Sequence, residues 1–372
     1  MSLKVKADNF LQLYGRARSL LPFVLTQPLG YFFYITKRCN LNCEYCWQRQ
    51  TTTQQNKTGS STEKELTAGE WSRVIRSISP LSFIGLSGGE PLLHPGFTEI
   101  LQSLGGRFRY TVNTNAELLN DIVIEELIRT RASNISVSLD GFVAVHDVSR
   151  CRPGLFDRVT EGIRRLNNYK KKYRVNYPEI TIKIVLSDEV IDSLPEFYRF
   201  CNEELQAGCL NISFMKTSPH AQFDFNVRET LAEAVNNAGP QCYSYREKVR
   251  IPIVIEELLR LARGKRCKVL LYPKMNGISQ MRSLLQSSGQ GAYNSCYIPW
   301  GLVVILPSGD IIPCLSMKIA NIRELNYDVR KISAVPAYRQ FLKWRDVTNR
   351  SGKMTPACNM CCFARVKPGA SR

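Results

Sequence analysis

Three closely spaced cysteines, Cys39, Cys43 and Cys46, constrain this chain more than any other feature of its sequence. They follow an apolar stretch, residues 31–35, that is typical of a buried strand, so one short loop at the end of that strand carries all three. Three thiolates on one loop suit three irons of a 4Fe–4S cluster, and the fourth iron then stays open for a small molecule. The sequence therefore predicts redox or radical chemistry at this loop.

Two other uses of clustered cysteines fit the loop less well. Zinc sites usually combine paired C-x2-C units, and the C-x3-C-x2-C spacing differs from that pattern. A disulfide framework is typical of short secreted chains, whereas this chain has 372 residues and its N-terminus lacks a secretory pattern. These residues therefore favour an iron–sulfur cluster.

The composition predicts a folded chain with a sizeable core. Hydrophobic residues make up 44% of the 372 residues, enough for a barrel-type domain of about 200–250 residues and a smaller one beside it. No apolar run approaches the ~18 residues that span a bilayer, so we expect no transmembrane segment. Thirteen cysteines without a secretory pattern indicate metal ligation in a reducing cytoplasm.

An excess of basic residues gives the chain a formal net charge of +18. Such a charge favours an anionic partner, and a phosphorylated metabolite, an acidic peptide, nucleic acid and a membrane surface all fit it. No recognisable nucleic-acid-binding module accompanies the charge, so we expect no specific nucleic-acid partner. A solubilising surface around a cluster-bearing core explains the same charge.

Apolar segments rich in β-forming residues alternate with amphipathic helical stretches along the chain. Thr67 and Glu70 form a capping box, so a helix is expected to start there. Alternating strands and helices of this length indicate a parallel sheet. The sequence thus predicts an α/β fold with a partial (β/α)6, TIM-like barrel. The six predicted strands are Tyr31–Thr36, Ser82–Ser87, Tyr110–Asn113, Asn134–Leu139, Thr181–Leu186 and Asn211–Phe214.

Four parts follow from this pattern, with the barrel over residues 31–216. Residues 1–30 carry an amphipathic helical pattern, which we expect to cap the bottom of the barrel, although a membrane surface also suits it. Residues 217–295 form a linking helical segment that includes a short strand at Lys268–Tyr272. Residues 296–372 form a small C-terminal domain of a β-hairpin and a helix.

A second set of cysteines lies in this C-terminal domain. Two of them flank the predicted hairpin, which turns at residues 308–310, and two form a late C-x2-C pair. Four thiolates can surround a 4Fe–4S cluster completely, and a zinc ribbon fits the same pattern. The set comprises Cys296, Cys314, Cys358 and Cys361, with Cys362 as an alternative to the last.

The first cysteine loop resembles that of the radical S-adenosylmethionine (SAM) superfamily, in which C-x3-C-x-aromatic-C follows the first strand. Tyr45 stands at the aromatic position, and Gly88, Gly89, Glu90 and Pro91 resemble the Gly-Gly-Glu-Pro motif of that family. The resemblance implies the same partial barrel. It also implies that the open iron binds SAM and that the reduced cluster cleaves it to a 5′-deoxyadenosyl radical. That radical then removes a hydrogen atom from the substrate.

The resemblance further implies which residues contact SAM. The Gly-Gly-Glu-Pro stretch would hold the methionine ammonium group, and Arg150 would pair with the methionine carboxylate. Ser138 is the first candidate for the ribose hydroxyls. Asp140 would face the substrate or cap the following helix. The next candidates for the ribose hydroxyls are Asn113 and Asn115. Val185 and Met215 are candidates for contact with the adenine.

The C-terminal cysteines resemble the SPASM/twitch auxiliary-cluster domains. Because no further cysteines follow Cys362, we expect one auxiliary cluster, hence two 4Fe–4S clusters in all. An external reductant such as a flavodoxin or a ferredoxin is also implied. If zinc replaced the auxiliary cluster, a cysteine would become the candidate hydrogen donor, namely Cys209, Cys242 or Cys267.

Three functions are compatible with these sequence features. The favoured one is a radical SAM enzyme that oxidises, rearranges or epimerises a small, anionic biosynthetic intermediate. The alternative is a maturase that modifies a ribosomally made peptide. A non-enzymatic iron–sulfur electron carrier is the least favoured, since it would need neither the open-iron loop nor Gly-Gly-Glu-Pro.

Overall fold

A ten-stranded sheet organises the chain. The structure is a computed structural model that describes residues 3–20, 27–46, 48, 64–214, 229–236, 245–272, 275, 277–286, 293–314, 316–352, 358 and 365–366. Met215, Cys242, Cys361 and Cys362 therefore lie outside the described residues. The strands are β1 (Gly30–Tyr34), β2 (Phe83–Ser87), β3 (Arg109–Thr114), β4 (Asn134–Ser138), β5 (Glu179–Leu186), β6 (Cys209–Phe214), β7 (Lys268–Tyr272), β8 (Tyr293–Ser295), β9 (Leu302–Ile305), β10 (Asp310–Ile312), β11 (Ala320–Asn321) and β12 (Arg365–Val366).

The order across this sheet is β11-β10-β9-β1-β2-β3-β4-β5-β6-β7. From β9 through β1 to β7, neighbouring strands all run parallel. In the part of the chain that the structure describes, the end strands β11 and β7 do not pair, so the sheet is open. This confirms the predicted α/β fold with a partial barrel.

Four strands, β7, β9, β10 and β11, extend the sheet beyond the six barrel strands predicted from the sequence. The expected linking strand, β7, pairs in parallel with β6. The first strand of the predicted C-terminal hairpin, β9, pairs in parallel with β1, and β10 then pairs antiparallel with β9. The C-terminal cysteine segment is therefore joined by backbone hydrogen bonds to the strand that carries the first cysteine loop.

Helices cover the outer face of the sheet and bury its apolar side chains. The ring centroids of Phe33 on β1 and Trp71 lie 4.9 Å apart, and both side chains are fully buried. The α-helices of the described residues are α1 (Leu3–Leu20), α2 (Ala68–Ser77), α3 (Phe97–Leu104), α4 (Asp121–Arg129), α5 (Val143–Ser149), α6 (Leu155–Lys172), α7 (Leu194–Glu203), α8 (Leu231–Asn236), α9 (Arg250–Leu261), α10 (Ile278–Gln286), α11 (Ile298–Gly301) and α12 (Pro336–Ser351).

The opposite face of the strands is polar where β3, β4 and β5 meet. The Thr111 hydroxyl donates to Asn134 Oδ1 at 3.1 Å, and Asn134 Nδ2 donates to the Thr181 hydroxyl at 2.8 Å. Thr111 is in register with Asn134, and Thr181 lies two residues beyond the register partner of Asn134, so these three side chains share one face of the sheet. The inner face of the barrel thus presents hydrogen-bonding groups rather than a closed apolar core.

The N-terminal helix α1 packs near the amino ends of β1 and β9. Leu11 is buried against Gly30, the first residue of β1, and against Gly301, which precedes β9. Arg18 is also buried and donates to the Ser333 hydroxyl at 2.7 Å. The helix thus lies at the amino ends of these strands, whereas the first cysteine loop follows the carboxyl end of β1. No helix among the described residues combines the length and apolar character that crossing a bilayer requires.

Glu70 ties the barrel to the C-terminal segment. It completes the predicted capping box with Thr67 at the start of α2, and it accepts hydrogen bonds from Arg323 at 2.9 Å and Tyr327 at 2.7 Å. Burial alone would raise its pKa, but the hydrogen bonds from the Thr67 amide, Arg323 and Tyr327 lower the pKa of Glu70 to about 2. This carboxylate therefore stabilises the folded state in its charged form.

Glu70→Ala is expected to lower the free energy of unfolding by about 1–2 kcal/mol at neutral pH, since it removes the capping box and an ion pair. Because the pKa of Glu70 falls on folding, its contribution is present above the ordinary value of 4.5 and is lost as pH falls toward 2. Urea unfolding across this pH range should show the free energies of unfolding of the wild type and of Glu70→Ala converging as the pH falls. Glu161→Ala, at an exposed helical site, is the control. A constant difference at every pH would contradict the charged role.

Candidate active site and second cysteine site

The first cysteine loop follows β1 at the carboxyl end of the sheet. Cys43 is buried, Cys46 is partly buried and Cys39 is exposed, and all three are free thiols. Among the described residues, no three histidine, cysteine or acidic side chains converge on a single ion position. A 4Fe–4S cluster spreads its thiolates over separate irons, so it does not require such convergence. The donor set fits an iron–sulfur cluster.

Two thiols of this loop, those of Cys43 and Cys39, have pKa values raised above the ordinary value. Burial raises the pKa of Cys43 to about 11; the other two cysteines add to the rise, while Arg150 opposes it. Burial likewise raises the pKa of Cys39. Iron binds cysteine as the thiolate, and a bound cation supplies the charge that favours this form. The loop is thus electrostatically suited to a cationic occupant.

The loop after β2 packs directly against the cysteine loop. The Gly89 amide donates to the Thr36 carbonyl at 2.9 Å, and the Glu90 amide donates to the Arg38 carbonyl at 2.7 Å. A Cβ on Gly89 would lie 2.2 Å from the Arg38 oxygen, and one on Gly88 would lie 2.4 Å from the Thr36 oxygen. The sequence assigned these glycines to close approach of a ligand. In the structure, both are required by the approach of the two loops.

Gly89→Ala is expected to displace the cysteine loop, because the added methyl group would overlap the Arg38 carbonyl. Iron content should fall from about eight toward about four atoms per chain, as one of two clusters is lost. The matched control is Gly277→Ala, where a Cβ would meet no atom within 4 Å. Iron analysis after anaerobic reconstitution measures the effect. Full iron content in Gly89→Ala would show that the loops can separate without harm to the site.

Glu90 is fully buried between the second and third strand ends. Its carboxylate accepts hydrogen bonds from the Thr114 hydroxyl at 2.6 Å, the Asn115 amide at 2.7 Å and the Leu92 amide at 3.1 Å. Burial raises its pKa to about 7, and these hydrogen bonds limit the rise. A carboxylate offers roughly four acceptor positions. One therefore remains for the predicted contact with a methionine ammonium group, which stays a prediction.

The predicted asparagines take different positions around the loop. Asn115 donates from Nδ2 to Asn40 Oδ1 at 2.9 Å, so it holds the cysteine loop directly. Asn113 lies on the inner face of the barrel, where it accepts a hydrogen bond from Lys183 Nζ at 2.9 Å. Ser138, at the end of β4, pairs in register with Lys183 on β5. Contacts of these residues with the SAM ribose stay predictions.

Asp140 organises a buried polar cluster that sequence reasoning did not foresee. Its carboxylate accepts hydrogen bonds from Arg150 Nε at 2.8 Å, from the Tyr45 hydroxyl and from the Val185 amide at 2.9 Å. Asp140 is 1% exposed, and its contact with a substrate stays a prediction. The helix that follows begins without a side-chain cap, so Asp140 does not cap it. Asp140 joins the cysteine loop, through Tyr45, to the ends of β4 and β5.

Arg150 lies between this carboxylate and the first cysteine set. Burial alone would lower its pKa, but Asp140, Tyr45 and Cys43 raise it, so the guanidinium stays charged. Arg150 Nη1 lies 3.9 Å from Cys43 Sγ. Its predicted pairing with the methionine carboxylate stays a prediction, whereas the structure pairs it with Asp140.

His146 supports the backbone of Asp140. It is fully buried, and its Nδ1 accepts a hydrogen bond from the Asp140 amide at 3.0 Å. Burial, together with the charge of Arg150, lowers the pKa of His146 to about 4. The ring is neutral at physiological pH and positions the backbone of Asp140.

The second cysteine set gathers around helix α12. Cys296, Cys314 and Cys358 are all buried. Arg345 Nη1 lies 3.4 Å from Cys358 Sγ. One turn further along α12, Asn349 holds the backbone of Cys296, donating to its carbonyl at 3.0 Å and accepting from its amide at 2.9 Å. The fourth predicted ligand, Cys361 or Cys362, lies outside the described residues.

Two of the three candidate hydrogen donors, Cys209 and Cys267, lie away from the carboxyl ends of the strands. Cys209 is the first residue of β6, and Cys267 immediately precedes β7, so both sit at the amino ends of their strands. Both are fully buried. Their position removes them as candidates for contact with a substrate near the first cysteine loop.

Two family models match the chain, and they coincide with the two cysteine sites. The radical SAM superfamily matches residues 33–201, and the SPASM iron-sulfur cluster-binding domain matches residues 296–362. The chain therefore carries a radical SAM domain, followed by an SPASM domain in its C-terminal part.

The chain is similar to several characterised proteins over part of its length. It is 34% identical over 146 residues to AdoMet-dependent heme synthase of Methanosarcina barkeri, covering 38% of this chain and 40% of that protein. It is 30% identical over 192 residues to the sporulation killing factor maturation protein SkfB of Bacillus subtilis, covering 50% of this chain and 42% of that protein. The chain thus aligns with less than half the length of either relative.

A solved structure shares the fold. SuiB of Streptococcus suis, bound to its precursor peptide SuiA, superimposes with a TM-score of 0.61 at 16% identity. The match covers 94% of this chain and 73% of that chain. At this identity the likeness shows the fold alone.

Proposed function

We propose that this chain is a radical SAM enzyme that abstracts a hydrogen atom from a small, anionic biosynthetic substrate. One observation carries the proposal: three free cysteines follow β1 at the carboxyl edge of a parallel sheet, and the Gly-Gly-Glu loop is hydrogen-bonded to the backbone of Thr36 and Arg38, just before the first of them. Ligand-binding residues of barrel folds gather at this edge.

Cys39, Cys43 and Cys46 would hold the catalytic 4Fe–4S cluster, with SAM against the loop after β2. Bound together, these two groups supply a 5′-deoxyadenosyl radical that accepts a hydrogen atom from a C–H bond. Tyr45, Asp140 and Arg150 would fix the loop that carries the ligands. Because this cluster of side chains is buried, it also shields one side of the loop from water.

The polar inner face of the barrel supports a polar substrate. Lys183, on β5, places a positive charge on that face. Its Nζ donates a hydrogen bond to Asn113, and its register partner on β4 is Ser138. A cation inside a partly enclosed site favours an anionic group on the ligand. A phosphorylated or carboxylated metabolite satisfies this requirement.

The second cysteine set would hold one auxiliary 4Fe–4S cluster. A substrate that has lost a hydrogen atom can give up one further electron and a proton, which completes a two-electron oxidation. The auxiliary site would accept that electron. An external flavodoxin or ferredoxin would supply the electron that starts each turnover.

Peptide maturation is the second candidate function. The similarity to SkfB, a maturation protein, over half of this chain favours it. The partial alignment with a heme synthase favours small-molecule chemistry instead. The polar, cationic inner face supports the small anionic substrate, so we place that function first.

The test is an anaerobic assay with SAM and a chemical reductant, in which 5′-deoxyadenosine is measured. Candidate substrates are anionic metabolites made by enzymes encoded beside this gene, and short peptides encoded there. A deuterated substrate should transfer its label to 5′-deoxyadenosine. Transfer from a metabolite supports the first function, and transfer from a peptide supports the second. No cleavage of SAM under reducing conditions would refute both.

A further inference from the structure

Helix α12 places a buried guanidinium among the C-terminal cysteines. We propose that Arg345 is the counter-charge of this iron–sulfur site and raises the reduction potential of the cluster bound there. The inference rests on the proposed auxiliary cluster. It concerns a residue that would tune the site rather than ligate it.

The position of Arg345 is fixed by burial and by contact with sulfur. The residue is 1% exposed, and its Nη1 lies 3.4 Å from Cys358 Sγ. Its Cζ lies 4.6 Å from the centre of the Trp344 ring, which supports the plane of the guanidinium. Arg345 is thus a fixed cation against one of the predicted ligands.

The other two described cysteines of the set also act on this charge. Burial alone would lower the pKa of Arg345, but Cys358, Cys314 and Cys296 raise it above its ordinary value. These cysteines come from three separate parts of the chain, yet all act on the charge of one guanidinium. Burying a charge in a protein is costly unless a partner compensates it. Thiolates and the cluster they bind are anionic, so they are the natural partner.

A fixed cation next to a cluster affects its two oxidation states unequally. Each electron that enters adds negative charge, and at a separation of a few ångströms in a buried site this charge is strongly stabilised by Arg345. Hydrogen bonds to cluster sulfurs and nearby charge are among the features by which proteins set such potentials. Arg345 would therefore make the auxiliary site a better electron acceptor.

The first cysteine site has a comparable arginine with a different charge balance. Arg150 lies 3.9 Å from Cys43 Sγ, but its Nε is bound to the Asp140 carboxylate at 2.8 Å. That ion pair neutralises much of the cation's effect on the loop. Arg345 lies instead against Cys358 Sγ at 3.4 Å, and all three described cysteines of the set raise its pKa. The two sites would accordingly differ in potential, with the C-terminal site the more easily reduced.

The test compares Arg345→Met, which removes the charge, with Arg345→Lys, which keeps it. The measurement is a potentiometric titration followed by electron paramagnetic resonance, on full-length chains that carry Cys39, Cys43 and Cys46 as alanine so that only the second cluster remains. Arg345→Met should disfavour reduction at least tenfold, which is about 59 mV for a one-electron couple. Arg345→Lys should stay close to the wild type. Arg350→Met, on the same helix with an 80% exposed side chain, is the control.

Each outcome decides the inference. Loss of the cluster from Arg345→Met but not from Arg345→Lys also supports a charge role, because the cation is then needed for assembly. Equal potentials in the Met, Lys and wild-type proteins overturn it, as does loss of the cluster from both variants, which would indicate a packing role. If the protein with Arg345 intact binds no second cluster, the proposed function of this domain fails instead.

Discussion

Replacing Cys39, Cys43 and Cys46 together with alanine is expected to abolish reductive cleavage of SAM. The three thiols are the only cysteines on the loop that follows β1, so no neighbouring residue of that loop can substitute for them. Production of 5′-deoxyadenosine should fall to the background of the uncatalysed reaction, a loss of several orders of magnitude. Chromatographic measurement of 5′-deoxyadenosine under anaerobic, reducing conditions checks this.

The control for this experiment is Cys151→Ala, which removes an exposed cysteine near the same site. It should leave cleavage unchanged. The triple variant should still bind about four irons per chain at its C-terminal cysteines. Undiminished 5′-deoxyadenosine from the triple variant would contradict the assignment of the catalytic site.

Replacing Cys296, Cys314 and Cys358 with alanine is expected to remove the auxiliary cluster and to leave the catalytic one. Iron should fall from about eight to about four atoms per chain after anaerobic reconstitution, and reductive cleavage of SAM should persist. Net oxidation of the substrate should stop, since the electron acceptor is gone. Iron and sulfide analysis, with product identification by mass spectrometry, measures both effects.

Cys201→Ala provides the matched control, because Cys201 is equally buried but lies on α7, away from both cysteine sets. It should retain about eight irons. Stoichiometric zinc in the wild-type protein, in place of the second four irons, would refute the auxiliary cluster. The enzyme would then need another source or acceptor for the second electron.

The elements of the fold were predictable because they depend on local patterns. Apolar segments rich in β-forming residues predicted the six central strands, and the capping box at Thr67 correctly located the start of α2. The pairing of β9 with β1 was not predictable, because either edge of a parallel sheet offers the same backbone groups. Local sequence does not specify which distant strand will fill an edge.

The candidate site was predictable only where one short motif carries it. The cysteine loop and the Gly-Gly-Glu-Pro stretch are contiguous, so their residue types are informative by themselves. The cluster of Tyr45, Asp140 and Arg150 brings together three separate parts of the chain, and an aspartate before a glycine is ordinarily a turn residue. The steric reason for Gly89 likewise depends on a contact with Arg38 that only the folded chain creates.

The pairing of β1 with β9 has a consequence for how the chain is synthesised and truncated. Until the ribosome has delivered residues 302–305, β1 remains an unprotected edge strand, and its Phe32 and Tyr34 lack the apolar cover that Val304 later provides. Exposed aromatic edge strands are prone to intermolecular pairing. Folding at this edge is therefore a late event that depends on contacts of long sequence separation. A fragment ending at residue 295 would contain the complete SAM motif and yet be vulnerable to aggregation.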